Sequence, residues 1–444
     1  MDLHPQIKKP GVYGQTLFSQ IDIRSKAGEE ELLSVSEKKG VTPRKNVNVT
    51  MFKAESYNGY KLCWPGDLVI NSLWAWMQGL GFSRHHGIVS TAYGVYRIQN
   101  KYQVDYKYFD YLFRSAAYKW ELRVRSKGIW RSRYQFTDNA FMTMPVIIPS
   151  ANEQKQIVRF LKYKCAQIAK FIRNKRRLIQ LLKEQKQIII NQAVTRGIDS
   201  NVKMKPSGVN WLGDIPETWD VKRLKLLYRN VADQDSSKNE EDIYIALEYV
   251  ESWTGKLTLP TEDIPFESQV KRFSQNDILF GKLRPYLAKV VRPNCQGVCV
   301  GEFLVLRDFS NEVMPEFMEI KLRSAQIIDL INSSTFGAKM PRADWKFIGN
   351  VLFSYPKLYE QKAIINKLID EIRQRDRLIE KAEREIELIQ EYRTRLISDV
   401  VTGKVDVRKI KVVDVADEEL ADDLSSAEET EELDDSIEEV PDED

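Results

Sequence analysis

The stretch Pro149-Ser-Ala-Asn-Glu153-Gln154-Lys155-Gln-Ile157 returns 207 residues later as Pro356-Lys-Leu-Tyr-Glu360-Gln361-Lys362-Ala-Ile364. The match continues without a gap from 149–199 to 356–406, and 16 of its 51 positions are identical. A repeat of this length indicates a chain built from two copies of one structural plan. Such a chain usually binds a target that itself has two parts.

Within both copies, apolar residues recur at alternating steps of three and four, which predicts long helices with a heptad seam. Neither run contains Pro or Gly, so each helix should extend for about 42 residues, or about 60 Å. Lys186 and Arg393 interrupt the two seams at the same place, which costs stability but can specify register. The seam positions are Val158, Leu161, Cys165, Ile168, Ile172, Lys175, Ile179, Leu182, Lys186, Ile189 and Ala193 in the first copy, and Ile365, Leu368, Ile372, Arg375, Ile379, Ala382, Ile386, Ile389, Arg393, Leu396 and Val400 in the second.

The linker at 197–216 is rich in Gly, Pro, Ser and Asn and can reverse the chain direction. We therefore expect the two helices to pack against each other as an antiparallel coiled coil. Two alternatives stay open at this point. Each helix could pair with a different molecule, or a bundle could combine both arrangements.

The segments before the helices contain short β-prone runs separated by Gly, Pro, Asn and Asp. Three of these runs also match, at an offset of 210: 66–70 with 276–280, 87–89 with 297–299, and 93–97 with 303–307. Outside them the two segments diverge strongly. The predicted fold class is α+β, with two β-rich domains separated by the two long helices. A shared scaffold with divergent surfaces indicates that the domains read different targets.

The charge is distributed unevenly. Lys and Arg total 67 and Asp and Glu total 64, but 17 of those acids lie in 414–444, which has no Lys or Arg. Residues 1–413 therefore carry a net charge of +20, which favours a polyanionic partner. A well-solvated surface is the alternative. The acidic tail is expected to be disordered, serving solubility or competing with DNA for the basic body.

Several functional classes lack support in the sequence. Cys295 and Cys299 have a poor zinc spacing with no His nearby, so the cysteines are expected to be buried or incidental thiols. There is no phosphate-binding Gly-x-x-x-x-Gly-Lys-Ser/Thr loop and no Asn/Asp-Pro-Pro-Tyr/Phe methyltransferase motif. We therefore expect a chain without catalytic or metal site. No signal run or apolar stretch of about 20 residues occurs, which favours a soluble, cytoplasmic protein.

The duplicated Pro-x-x-x-Glu-Gln boxes at 149–154 and 356–361, with Trp211-Leu-Gly-Asp-Ile-Pro216-Glu-Thr-Trp219 opening the second domain, give the chain a family resemblance. It resembles the specificity (S) subunit of a type I restriction–modification system across roughly residues 30–406. Residues 1–30 depart from the pattern, because they contain no Trp-x-Gly-x-Ile-Pro box. The implied organisation is a target-recognition domain at 1–150, spacer helix 151–197, linker and second target-recognition domain at 198–355, spacer helix 356–406 and acidic disordered tail 407–444.

The resemblance implies a non-catalytic subunit that reads a bipartite, asymmetric site in double-stranded DNA. The helices would dock two methyltransferase (M) subunits, and restriction/translocase (R) subunits would join them. S-adenosylmethionine, ATP and magnesium would then reside on those partners, with no cofactor in this chain. The rival interpretation is a coiled-coil scaffold that binds proteins without sequence-specific DNA binding.

Basic and aromatic residues are the candidate DNA contacts, because cations neutralise phosphates and Arg can bind guanine in the major groove. The predicted DNA-binding residues are Arg84, His85, Lys119, Arg123, Arg125, Lys127, Arg131, Arg133, Tyr134, Lys271, Arg272, Lys282, Arg284, Lys339 and Arg342. Apolar residues off the seam are the candidate partner contacts. These are Phe171, Leu181, Leu378 and Leu388, for which a place in the intramolecular core is the alternative.

Overall fold

The structure is a computed structural model that describes 11–37, 40–46, 56–99, 102–128, 134–199, 201–231, 233–235, 242–260, 269–335, 337 and 340–414. The chain divides into two compact units. Unit 1 comprises Met1–Arg176 with Glu383–Asp444, and unit 2 comprises Arg177–Ala382. Each unit contains one β-rich part together with portions of both long helices, so the predicted α+β class with two β-rich domains is confirmed.

Unit 1 is organised around a four-stranded antiparallel sheet in the order β2-β9-β6-β7. Smaller pairs, β1 with β10, β3 with β4 and β5 with β8, complete its β-rich part. The elements before the long helix are β1 Gly11–Tyr13, α1 Gly14–Leu17, β2 Phe18–Gln20, β3 Leu33–Ser36, β4 Gly40–Pro43, β5 Lys61–Cys63, β6 Leu68–Asn71, β7 Leu80–Phe82, β8 Gly87–Val89, β9 Tyr93–Ile98, α2 Tyr106–Arg114, α3 Ala116–Arg125, α4 Asp138–Met142 and β10 Pro145–Ile147.

Unit 2 has the corresponding sheet in the order β14-β21-β18-β19 and a second sheet in the order β15-β17-β20-β16. The registers repeat: Leu68 faces Tyr96 in unit 1, and Ile278 faces Leu306 in unit 2. The elements are β11 Met204–Pro206, β12 Asp214–Pro216, β13 Asp220–Arg223, β14 Tyr228–Val231, β15 Gln234–Asp235, β16 Ile243–Ile245, β17 Val270–Phe273, β18 Ile278–Gly281, β19 Val290–Val291, β20 Gly297–Val300, β21 Phe303–Asp308, α6 Pro315–Leu322, α7 Ala325–Ser333, α8 Trp345–Ile348 and β22 Leu352–Tyr355.

One buried ion pair recurs in the two sheets. Asp67 accepts two hydrogen bonds from Arg97, at 2.7 and 2.8 Å, and Asp277 accepts two from Arg307, at 2.8 and 2.6 Å. Both carboxylates are almost completely buried. Bidentate pairing raises the pKa of each arginine and fixes the start of β6 and β18 against the neighbouring strand.

The two long helices are α5, Ala151–Arg196, and α9, Leu358–Val401. Their pairing is antiparallel within each unit. Lys175 contacts Glu385 at 2.5 Å in unit 1, and Lys186 contacts Asp376 at 2.6 Å in unit 2, so the partner number falls as the first number rises. Most apolar seam positions are buried. The predicted antiparallel packing is confirmed, and the seam cation Lys186 is paired with a carboxylate.

The repeated Pro-x-x-x-Glu-Gln box has a structural role at the start of each long helix. The fully buried Gln361 amide accepts from the Met314 N–H at 2.7 Å and donates to the carbonyls of Glu312 and Pro356. Gln154 makes the same set in unit 1, accepting from Asp105 N–H at 2.8 Å. Since a buried amide needs partners, this Gln ties the first helical turn to the chain ahead of α2 or α6.

The opening motif of the second domain contacts the second box directly. The indole N–H of the fully buried Trp219 donates to a Glu360 carboxylate oxygen at 2.9 Å. In unit 1, the chain that follows α9 packs beside the first helix instead. Val407 is buried, and Gln156 Nε2 donates to the carbonyls of Val407 and Ile410. Of the span predicted as acidic tail, 407–414 is thus described and packed, and 415–444 lies outside the described residues.

Each unit also ties the last turn of one long helix to the strand that precedes the other. In unit 2, the buried Lys321 Nζ donates to Val194 O at 2.7 Å and to the carbonyl and hydroxyl of Ser354. In unit 1, Tyr108 Oη lies 3.4 Å from Ile147 O and 3.5 Å from Val401 O. Ile147 and Ser354 are equivalent positions of the repeat, as are Val194 and Val401. A lysine in one unit and a tyrosine in the other therefore make the same connection between equivalent backbone carbonyls.

Candidate nucleic-acid interface

The loop that follows β6, residues 72–79, carries the most exposed large aromatic group of its neighbourhood. Asn71 starts the turn by accepting from the Leu73 N–H at 3.2 Å, and Gln78 closes it in the left-handed region at φ 60°. Between them Trp74 and Trp76 stack with ring centroids 6.1 Å apart. Trp74 is 56% exposed. With the exposed Leu73 beside them, these stacked rings form a contiguous apolar patch, which makes the loop a candidate contact surface.

Predicted contact residues from a distant part of the chain join this β6 loop. Tyr134 packs edge-on against Trp76 at 5.9 Å. Lys127 and Gln135 exchange two backbone hydrogen bonds, and the Phe136 N–H donates to Ser72 O at 2.8 Å. The structure therefore brings Lys127 and Tyr134 together with an exposed tryptophan pair, and flat rings beside a cation suit sugars, methyl groups and bases.

The equivalent loop after β18, residues 282–289, is anchored by an equivalent backbone hydrogen bond, but charged side chains lie beside it. The Ala343 N–H donates to Lys282 O at 2.9 Å, repeating the Phe136 contact. Glu302 then contacts Arg342 at 3.3 Å and Lys282 at 4.0 Å. Lys282 of the β18 loop and the neighbouring Arg342 thus lie around one carboxylate, whereas the β6 loop presents aromatic rings.

Two further predicted residues belong to this β18 loop surface. The Arg284 N–H donates to Pro341 O at 2.8 Å, in the left-handed backbone region at φ 49°. Lys271 Nζ donates to the carbonyls of Gly301, at 2.9 Å, and Phe303, at 2.6 Å. Desolvation, and then repulsion by Lys282, lowers the pKa of Lys271. An additional anionic group near this lysine would favour its charged form.

Other predicted contact residues are held by carboxylates of their own unit. Arg272 pairs with the buried Asp242 at 2.8 Å, Arg125 with the buried Glu121 at 3.0 Å, and Lys119 with Glu37 at 3.2 Å. Arg272 and Arg125 each neutralise a buried acid, so their charge is less available to a phosphate, whereas Lys119 pairs with the exposed Glu37. DNA contact at these three residues stays a prediction.

Arg84 and His85 lie at the opposite end of strand β6 from the β6 loop. The Ser83 N–H bonds to Asp67 O, just before β6 begins, and Ser83 Oγ donates to His85 O at 2.7 Å. Arg84 is exposed, as is Arg123 on α3. Arg131, Arg133 and Lys339 lie outside the described residues. The structure therefore groups only part of the predicted set on one surface of each unit.

Comparison with known proteins finds relatives that are all specificity subunits of type I restriction enzymes. No protein-family profile matches the chain. The chain is 24% identical over 290 residues to the type I restriction enzyme MjaVIII specificity subunit of Methanocaldococcus jannaschii, covering 61% of this chain and 64% of the relative. It is 24% identical over 298 residues to the EcoDI specificity subunit of Escherichia coli, covering 61% and 65%. The matches thus span just under two thirds of each relative's length.

Solved structures share the fold. The HsdS subunit from Thermoanaerobacter tengcongensis aligns with a TM-score of 0.53 at 14% identity, over 91% of this chain and 99% of that one. A chain from a study of complex assembly and conformational transition of the type I R-M system aligns with a TM-score of 0.60 at 14% identity, over 91% and 100%. The chain is thus similar in sequence to specificity subunits of type I restriction enzymes, and it shares their fold.

The four residues predicted to contact partners are all exposed. Phe171 is 39% exposed, Leu181 40%, Leu378 52% and Leu388 48%. The alternative of a place in the core does not fit these values. Phe171 is the repeat equivalent of Leu378, and Leu181 of Leu388. Two equivalent apolar pairs suit two copies of one partner, and partner binding at these positions stays a prediction.

Trp74, Trp76 and Glu302 were not predicted as contact residues, because the candidates were chosen mainly for their positive charge. A signal was available, since the two tryptophans follow a predicted strand and have Arg284 and Tyr286 at their repeat positions. Among the described residues, no group of three or more His, Cys, Asp or Glu side chains is placed to hold a metal. Three cysteines are buried, and Cys295 is exposed.

No helix in the described part of the chain is both long enough and apolar enough to cross a membrane.

Proposed function

We propose that this chain is the DNA-recognition subunit of a type I restriction–modification system and performs no catalytic step itself. Each β-rich domain reads one half of a bipartite, asymmetric site in double-stranded DNA. Methyltransferase subunits dock on the helices, and restriction/translocase subunits join them. Those partners supply S-adenosylmethionine, ATP and magnesium. The names of the relatives support a role in a type I restriction–modification system. The different chemistry of the two loop surfaces supports the assignment of one half-site to each domain.

One observation carries the two-reader proposal. The β6 and β18 loops follow equivalent strands and are held by equivalent backbone hydrogen bonds. The β6 loop exposes Trp74 beside Trp76, whereas the β18 loop lies beside the exposed Arg342, which pairs with Glu302. Shape-only binding would need no such difference. Aromatic faces suit thymine methyl groups or unstacked bases, whereas Arg suits guanine and Glu suits cytosine.

The helices support the part of the proposal that concerns spacing. A helix is a spacer whose length is fixed by residue count, at about 1.5 Å per residue. Both α5 and α9 are continuous, and their pairing is fixed by the seam and by Lys175 with Glu385 and Lys186 with Asp376. Successive major-groove faces repeat about every 34 Å along DNA, so an unread gap between two half-sites is expected.

The test is methylation mapping in a host that carries the chain with its cognate methyltransferase subunits. Trp74→Ala should relax the sequence requirement in one half-site, and Arg342→Ala should relax it in the other, with about 1–3 kcal/mol of discrimination lost at one base position in each case. Lys203→Ala, an exposed cation in the linker, serves as the matched control. Exchange of residues 1–150 for the same domain of another family member should replace only one half of the motif.

Two results would overturn the proposal. If Trp74→Ala and Arg342→Ala alter the same half-site, the domains do not read separate half-sites. Equal affinity for random duplex and for its own motif at all salt concentrations would favour a protein scaffold.

A further inference from the structure

The first long helix carries a charge that its repeat partner does not. Ala151–Arg196 contains twelve Lys and Arg against two Glu, whereas Leu358–Val401 contains nine Lys and Arg against ten Asp and Glu. The heptad seam and the Pro-x-x-x-Glu-Gln box are present in both copies, so the repeated fold does not require the excess of basic residues in the first helix. The added charge therefore points to something the first helix does alone.

Part of that charge forms a stripe along one face of α5. Lys155, Arg159, Lys162, Lys170 and Arg173 follow helical spacings that place them on the same side. We call these five residues the basic stripe. All are exposed or partly exposed, and all belong to unit 1.

The second copy does not keep the basic stripe. The repeat positions are occupied by Lys362, Asn366, Ile369, Arg377 and Glu380, in the same order. A surface for the two methyltransferase subunits should appear in both copies. A surface that appears once suits a ligand that is present once per chain.

The end of the described chain is seated on this stripe. Gln156 Nε2 donates to Val407 O at 3.0 Å and to Ile410 O at 2.6 Å, which holds the segment after α9 beside the start of α5. Asp414 then pairs with Arg159 through both carboxylate oxygens, at 2.5 and 2.9 Å. Asp105, Lys155, Val158, Arg159 and Lys162 line the groove that holds Asp414.

We propose that residues 415–444 of this same chain dock along the basic stripe. This segment holds sixteen Asp and Glu and no Lys or Arg, so its charge complements the stripe. It starts at the stripe, since Asp414 is already on Arg159. Arg173 lies fourteen residues further along α5, or about 21 Å, and about seven extended residues cover that distance. Asp417–Glu419 fall within those seven residues, and Asp422–Asp423 follow directly after them.

The consequence is an internal shield. With the acidic segment in place, the basic stripe does not attract nucleic acid outside the target, while the β6 and β18 loops remain available. Without it, five adjacent cations add a contact with duplex phosphate that is independent of sequence and sensitive to salt. This effect on DNA rests on the proposed function, but the docking itself does not.

Docking is tested on the full chain without DNA, by zero-length carbodiimide cross-linking and peptide mass spectrometry. The acidic segment should link to Lys155, Lys162 and Lys170, and these links should fall at least about fivefold in 0.5 M salt, where surface charges are screened. Lys362 and Lys367, exposed on α9, are the internal control. Equal linking to these two lysines, or none to α5, would overturn the proposal.

The shielding is tested with a random-sequence duplex at low salt. Removal of 415–444 should raise affinity about tenfold. In the background Arg159→Glu/Lys162→Glu/Lys170→Glu the same truncation should change affinity less than about twofold, because the stripe is gone. The background Lys362→Glu/Lys367→Glu/Arg377→Glu has the same charge change and should keep the full effect. An equal truncation effect in both backgrounds means general charge repulsion and would refute the shield. Cross-linking to the stripe with no binding to any duplex would instead count against the proposed function alone.

Discussion

Trp219 Nε1 donates a hydrogen bond to Glu360 Oε1 at 2.9 Å, and this contact joins the motif that opens the second domain to the box that opens the second helix. Two patterns on which the family resemblance rests, separated by more than a hundred residues, thus form one interaction. Because Trp219 is completely buried, its N–H has no access to water as a substitute partner.

Loss of the Glu360 acceptor should therefore destabilise unit 2. Glu360→Ala leaves the indole N–H unsatisfied and is expected to lower the free energy of unfolding by about 1–3 kcal/mol, measured by urea denaturation. Glu360→Gln keeps an oxygen acceptor and should cost less than half as much. Equal losses for the two variants would show that the carboxylate charge, and not this hydrogen bond, is what matters.

Lys321 should give the protein a measurable pH dependence. Burial lowers its pKa to about 7, and in the unfolded chain a lysine titrates near 10.4. Between these values the unfolded chain binds a proton that the folded chain does not, so stability rises with pH by up to about 1.4 kcal/mol per unit. Below about pH 7 the folded chain also holds the proton, and this contribution is constant.

The measurement is the difference in unfolding free energy between the parent chain and Lys321→Met at pH 6, 8 and 9. That difference should favour the parent increasingly above pH 7. Lys346→Met, at an exposed position on α8, should give a difference that does not vary with pH. A flat profile for Lys321→Met would mean that Lys321 stays protonated in the folded state throughout.

The repeated exposed residues predict the stoichiometry of partner binding. Leu378→Asp and Phe171→Asp should each remove one methyltransferase subunit, and the double variant should remove both, as counted by native mass spectrometry. Burying a carboxylate in an apolar contact costs several kcal/mol. Ile188→Asp changes an apolar residue that is 62% exposed but has Arg395 at its repeat position, and it should leave two subunits bound.

Shortening both helices by one heptad tests the spacer. Residues 174–180 and 379–385 lie opposite each other in the antiparallel register, include both members of the Lys175–Glu385 pair, and leave the predicted docking residues in place. Removing both segments keeps the seam in phase and removes about 10 Å of helix. The gap in the methylated motif should shrink by about three base pairs, given about 3.4 Å per pair. A motif with an unaltered gap would eliminate the spacer role.

Much of the architecture followed from periodicity and repetition alone. The matched runs are strands with matching registers, the helices are continuous, and their antiparallel packing was expected from the linker. These features are local or duplicated, so they leave a pattern in one sequence. The Gln box was recognisable as a motif, but its role of bonding to the chain ahead of α2 and α6 was not.

The contact surfaces were less predictable for a physical reason. A cation's availability depends on which acid the fold places beside it, and nothing in the sequence around Arg272 reveals Asp242 as its partner. Similarly, Glu302 became relevant only once β18 and β21 brought it near Arg342. The packing of 407–414 beside the first helix was not predicted, because these residues were grouped with the acidic segment that follows them.

The cysteines offer a practical advantage for studying this protein. Burial raises the pKa of Cys63 to about 11 and of Cys299 to about 12, and Cys165 is also buried with a raised pKa. Cys295 alone of the four is exposed, in unit 2. A maleimide fluorophore should therefore label the native chain at a single position, giving an optical probe of ligand arrival without any engineered thiol.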